Sequence, residues 1–166
     1  MGEMKEHTIS VLVEQTFDAL PRIAGLFSGR GYQIDSISVG EAEEPGMARM
    51  TIVTRGHDGV IEQITKQLNK IVNVVKVTDL TYEPFVEREL ALVKVTATQS
   101  TRSEIMQIVN IFRAKIVDIS PKTLTVECTG SRAKVQAIIG MLRPFGIREI
   151  SRTGSVALRR EFRGET

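Results

Sequence analysis

TISVLVEQTFDALPRIAGLFSGRGYQIDSISVG, residues 8–40, decides the fold of this chain, because it reads as strand, short polar loop, helix, tight turn and second strand. Ile9, Val11 and Val13 alternate with Ser10, Leu12 and Glu14, the period-2 pattern of a half-buried strand. Leu20, Ile23, Ala24 and Phe27 then fall at i, i+3, i+4 and i+7, one apolar stripe of a helix. Asp18 is placed to cap that helix, Pro21 to sit where a missing N–H costs little, and Gly29 and Gly31 to bracket the exit. The loop from Glu14 to Asp18 is the expected ligand site. A helix N-terminus beside a strand end offers unpaired amides and the positive end of a dipole, which suits a carboxylate.

Outward from this stretch, GEAEEPGMA (residues 40–48) is a polar turn leading to a third strand at Arg49 to Arg55. Ile61, Ile64, Leu68 and Ile71 make a second helical stripe, and Val74 to Tyr82 returns to a β-branched run. The order βαββαβ then repeats. Leu90 to Thr98 is a strand and Ile105, Ile108, Val109 and Phe112 a helix stripe. Ile116 to Ile119 and Leu124 to Cys128 form a hairpin about Pro121, and Val135, Ile138, Ile139 and Leu142 form a fourth stripe. The last stretch, Ile147 to Leu158, is strand-like but interrupted at Gly154. The expected architecture is α+β: two tandem ferredoxin-like βαββαβ sandwiches, residues 1–83 and 84–166, joined near Glu83 to Glu89. Ile34 and Ile37 are out of phase, which fits a bulge in the second strand. Leu12, Val53 and Val74 lie on strands whose open face needs cover, so a partner sheet or subunit is expected.

The chain has 166 residues, 42% apolar and 25% charged, enough apolar content for a real core. No apolar run approaches a membrane span and MGEMKEHT lacks a signal peptide's apolar segment, so a cytoplasmic location and no membrane are expected. Cys128, the single cysteine, shares a strand face with Leu124 and Val126 and reads as a buried thiol. Net charge is +2 but unevenly divided: residues 1–84 carry 8 basic and 12 acidic side chains, residues 85–166 carry 14 and 8. The basic half is either solvated or docks an acidic partner.

No catalytic set is present in the pattern. His7 and His57 lack metal-ligand spacing, and no nucleophile elbow or phosphate loop occurs. Gly29-Arg30-Gly31 follows a helix, where a phosphate loop would open one. Glu41, Glu43 and Glu44 read as a solvated turn. Nucleic acid is not an expected partner either, because aromatics are scarce on the strands of the acidic first unit.

Several segments carry a resemblance: SVLVE (10–14), ALPRIAGLFSGRGYQIDSISV (19–39), RMTIVT (49–54), EQITKQLNKIVNVVKV (62–77) and VERELALVKV (86–95). With these the chain resembles the small, regulatory subunits of acetolactate synthase (acetohydroxyacid synthase) over nearly its whole length. The resemblance implies a first unit that is an ACT domain, an effector-binding module that pairs side by side with a second copy, and a C-terminal domain peculiar to these subunits. It implies no catalytic residues here. The partner would be a large catalytic subunit holding thiamine diphosphate, a divalent metal (Mg) and FAD, which the small subunit activates and renders sensitive to valine or a related branched-chain amino acid.

In such modules the effector sits between the first loop of one copy and the start of the second strand of the other. Carried onto this chain, the effector-binding residues are Gln15, Thr16, Phe17, Asp18, Ala19 and Leu20 with Gln33 and Ile34. The family's loop carries Asn at the places of Gln15 and Gln33, and Gly at the place of Asp18. The physics of the loop agrees with such a ligand. Amides around Asp18 to Leu20 can donate to a carboxylate, Gln15 and Gln33 both donate and accept, and Leu20 and Ile34 can line a small apolar cavity. A free-standing amino-acid sensor acting on another protein or on nucleic acid is the second reading. The matched C-terminal half separates the two, since a generic sensor has no need of it.

Overall fold

The alternation around Val11 builds β1 (Lys5–Glu14), and its inward residues Ile9, Val11 and Val13 are wholly buried. The computed structural model describes residues 2–14 and 16–161. β1 lies between β3 (Met47–Gly56) and β4 (Val74–Asp79), with β2 (Gln33–Glu41) outside β3, so the antiparallel order is β2-β3-β1-β4. Two helices, α1 (Thr16–Gly29) and α2 (Asp58–Asn69), cover one face. Ala19, Ile23, Phe27, Ile61, Ile64 and Leu68 meet Ile9, Val11, Val13, Met50 and Ile52 in one core. Burying each large aliphatic or aromatic side chain contributes about 1.5–3 kcal/mol.

The same device recurs. β5 (Phe85–Thr96), β6 (Lys115–Ile119), β7 (Thr123–Gly130) and β8 (Ile147–Arg152) assemble in the order β6-β7-β5-β8. The helices α3 (Arg102–Ile111) and α4 (Arg132–Leu142) supply Ile105, Ile108, Val109, Val135, Ile138, Ile139 and Leu142 to a core with Val93, Val95, Leu124, Val126 and Cys128. Burial raises the Cys128 thiol pKa, as expected of a packing residue. The chain is thus the α+β pair of ferredoxin-like sandwiches that the pattern predicts, and β2 carries its bulge, between Ile34 and Ser36.

Three expectations need correction. The buried stripe of α1 is Ala19, Ile23 and Phe27; Ala24 is exposed and Leu20 is 36% exposed. The apolar set spans two adjacent helical faces, and the small Ala19 is the side chain that turns to the sheet. Second, α1 begins at Thr16, so Asp18 belongs to its first turn rather than preceding it, and Pro21 lies inside the helix. Its missing N–H leaves the carbonyl of Phe17 without the usual helical donor.

Third, the chain divides into two compact units, but the described residues of 154–166 belong with those of 1–86, and the second unit is 87–153. The C-terminal strand β9 (Val156–Arg159) pairs with β5 and lies against β1 and β3. Ser155 and Ala157 are buried, as are Thr8, Thr51 and Val53 on the face of the first sheet that the helices leave open. Gly154 permits the approach, since a Cβ there would lie 2.7 Å from Ser38 Oγ and 3.1 Å from Ile37 O. Arg159 forms an ion pair with Glu83, and Arg160 donates its N–H to Pro84 O. Cover expected from a partner over Val53 comes from the chain itself. Leu12 is half-buried, and Val74 packs with the helical core.

The exit of α1 follows the expected glycine chemistry. Gly31 has φ +68°, its N–H donates to Ser28 O at 3.2 Å, and Tyr32 N–H donates to Phe27 O at 2.9 Å. This is the paired closure of a left-handed helix end, and the Phe27 and Tyr32 rings meet edge to face at 6.1 Å over it. The turn aims β2.

Candidate functional site

β1 ends at Glu14 and α1 starts at Thr16, so the expected five-residue loop is a one-residue connection. That residue, Gln15, lies outside the described residues. Phe17 is 97% exposed and Asp18 is exposed in the first turn, while Ala19 is buried and Leu20 half-exposed. Of the residues expected to form the site, Ala19 therefore belongs to the core. Asp18 places its carboxylate near the positive end of the α1 dipole, a favourable position.

Gln33 and Ile34 open β2. Gln33 is exposed and its Nε2 donates to Asp35 Oδ1 at 3.1 Å, while its carbonyl accepts the Thr54 hydroxyl. Ile34 packs partly against the core, and Asp35 forms an ion pair with Arg55 at 2.7 Å. The sheet register places Gln33 opposite Arg55 and Glu14 opposite Met47. Those levels are eight residues apart on β3, about 27 Å at strand spacing. The structure thus does not bring the two halves of the expected site together within one chain. They can line one cavity only if a second copy supplies the other half.

What stands beside the exposed Phe17 in the same chain is the far end of the β2–β3 hairpin. A groove of about 340 Å³ is lined by Phe17, Val39, Gly40, Glu41, Gly46, Met47 and Ala48. Apart from Phe17, sequence reasoning missed these residues, although the register signal was available: a hairpin turn at Pro45-Gly46 puts Met47 level with the end of β1. Glu43, read as solvated, accepts two hydrogen bonds from Arg49, at 2.8 and 3.1 Å, and this guanidinium holds its pKa down to about 2. The pair braces the hairpin.

A second cavity, about 370 Å³, is lined by His7, Asp58, Asp79 and Tyr82 among others. His7 is wholly buried, its Nδ1 is 3.3 Å from Asp79 Oδ2, and its Nε2 is 3.6 Å from Asp58 Oδ1. The Tyr82 hydroxyl donates to Asp58, which pushes the phenol pKa up to about 12 and lowers that of the carboxyl. The histidine and its carboxylates come from β1, α2 and β4, so no sequence spacing could announce them. Among the described residues no cluster of His, Cys, Asp or Glu could hold a metal ion, and no helix is long and apolar enough to cross a membrane.

With this geometry established, the first unit defines the class: a ferredoxin-like domain of the ACT type, matched over residues 9–76 by the model of the AHAS small subunit-like ACT domain. Residues 88–161 match the model described as small subunit of acetolactate synthase. A probable acetolactate synthase small subunit of Methanothermobacter thermautotrophicus is 55% identical over 159 residues, covering 95% of each chain. The Aquifex aeolicus acetolactate synthase small subunit is 51% identical, covering 96% of this chain and 84% of that one. In three dimensions the Thermotoga maritima acetolactate synthase small subunit superposes with a TM-score of 0.85 at 46% identity, covering 94% of this chain and 98% of that one. The chain belongs to the family of acetolactate synthase small subunits.

Proposed function

We propose that this chain is a regulatory subunit without an active site of its own, which binds an acetolactate synthase large catalytic subunit, raises its activity and makes it sensitive to valine or a related branched-chain amino acid. Thiamine diphosphate, Mg and FAD belong to the large subunit in this reading. The observation that carries the effector half is geometric: the exposed start of α1 and the start of β2 lie about 27 Å apart along one sheet. Side-by-side pairing of two ACT units brings one copy's Thr16 to Leu20 to the other's Gln33 and Ile34. The activating surface is assigned to the second unit, where residues 87–153 carry 11 basic and 6 acidic side chains.

Reconstitution tests this reading. The purified chain alone should form no acetolactate, and its addition to the authentic large subunit should raise the rate and introduce inhibition by valine. Turnover by the isolated chain, or no effect on the large subunit, would overturn it.

A further inference from the structure

We propose that Asn73 is a positioning residue for the opening of α1, holding the effector loop from both of its ends; this rests on the assignment of that loop as the effector site. The backbone N–H of Glu14, the last residue of β1, donates to Asn73 O at 2.8 Å. On the other side of the loop, Arg22 in α1 donates from Nη1 to Asn73 Oδ1 at 3.1 Å. Asn73 itself is 91% buried in the turn between α2 and β4.

A bulge puts it there. β4 pairs Lys76 with Leu12 but Val74 with Val13, so Val75 is an extra residue, 52% exposed. Regular pairing would set Val74 opposite Glu14; the bulge advances Asn73 into that place. The bracket also answers a weakness in α1. Pro21 removes the helical hydrogen bond to Phe17 O, so the first turn is loosely tied to the rest of its own helix. Arg22, the next residue, ties the turn that follows the proline to the connection between α2 and β4.

The second unit supplies an internal control. There the bulge recurs, with Glu149 opposite Lys94 and Ile147 opposite Val95, and Thr96 N–H donates to Gly146 O at 2.8 Å. Gly146 takes the place of Asn73. The backbone bond is therefore a requirement of the fold that a residue without a side chain meets, and the amide side chain of Asn73 is what the first unit adds. Its partner Arg22 belongs to α1, the helix whose start carries the exposed Phe17 and Asp18.

Hydrogen exchange and calorimetry on the full chain test the claim with Asn73→Ala, Arg22→Met, their double variant and Arg22→Lys. Arg22→Met keeps the exposed stem and so preserves folding. Loss of one hydrogen bond should speed exchange of the peptide spanning residues 14–22 by about fivefold in either single variant, with α2 and residues 87–153 unchanged. The double variant should be no faster than Asn73→Ala, and Arg22→Lys should recover most of the protection. Valine affinity should fall by a similar factor. Unchanged exchange at residues 14–22, or acceleration spread over the whole first unit, would overturn the positioning role. A parent chain that binds no valine would instead overturn the effector assignment, leaving the exchange arm to decide Asn73.

Discussion

α1 and α3 open at the same place in two copies of one fold, yet the chain reaches them differently. β5 ends at Thr96 and α3 starts at Arg102, and the five residues between them close on themselves. Thr98 O accepts from Arg102 N–H at 2.9 Å, Thr98 N–H donates to Thr101 Oγ1 at 3.0 Å, and the Thr98 hydroxyl is shared with Ser100 and Thr101. The first amide of the second helix, that of Arg102, is thus taken by its own chain. The first is reached through one residue and presents Phe17 and Asp18 outward. A shared fold therefore does not imply a shared site, because the approach to the equivalent helix differs between the copies.

The corners of the sheets repeat the lesson. His7 and Glu89 hold equivalent places on β1 and β5, two residues before Ile9 and Ala91, which pair with Asp79 and Arg152. Both are buried, and each meets a charged residue of the edge strand: His7 with Asp79, and Glu89 with Arg152 at 2.8 Å. The buried member is an imidazole in one copy and a carboxylate in the other. The fold specifies that a polar pair closes this corner and leaves its members open.

The largest effect expected to break the comparison is at Gly154, the point of close approach that only the first unit has to its C-terminal segment. Gly154→Val should destabilise that unit by about 1–3 kcal/mol through clash with Ser38 and Ile37. Exchange at Thr51 to Val53 should rise while the core of residues 87–153 stays protected. Equal loss in both units would mean that they unfold as one.

Asp18 tests the helix openings themselves. Its carboxylate stands in the first turn, where an effector's carboxylate is expected, and like charges a few ångströms apart repel by about 1 kcal/mol in water and more in a partly dry cleft. Asp18→Gly should tighten valine binding by about tenfold, at some expense to the helix start. Calorimetric titration of both proteins decides it: tight binding by the parent, unchanged or weakened in the variant, removes the idea.

The helix exits give a smaller, signed effect. Gly31 and Arg113 occupy one structural position, with φ +68° and +53°, and Ala114 N–H donates to Val109 O just as Tyr32 does to Phe27 O. Only glycine takes this conformation without strain. Thermal melts should show Gly31→Ala costing about 1 kcal/mol and Arg113→Gly gaining about 0.5 kcal/mol. A destabilised Arg113→Gly would assign that side chain a structural role that nothing in its surroundings accounts for.

The smallest effect concerns Tyr82 and Asp58. Tyr82 keeps its proton to about pH 12, so its share of stability is present below the ordinary phenol value near 10 and is lost as pH rises toward 12. Asp58, with a lowered pKa, contributes above the ordinary carboxylate range and loses that share as pH falls. In a Tyr32→Phe background, tyrosinate absorbance should titrate near 12, and Asp58→Asn should bring it back toward 10. No movement would break the link between β4's outgoing turn and α2.

Local pattern carried most of the fold. Four helical stripes, the alternation of β1 and the bulge at Ile34 depend on neighbours within a turn or a strand, and period alone reports which face is apolar. The strand–helix order of the ACT-type unit was legible through its residues, since a strand and an amphipathic helix are a local sequence, whereas the helix start at Thr16 was not. What tertiary structure decided is everything that depends on partners far along the chain. The return of residues 154–161 over the first sheet, the enclosure of His7 by Asp58 and Asp79, and the bulge that carries Asn73 to Glu14 join segments 50 or more residues apart. No periodicity encodes such meetings. They are set by which open face most needs cover, and by which buried polar group each neighbouring strand must satisfy.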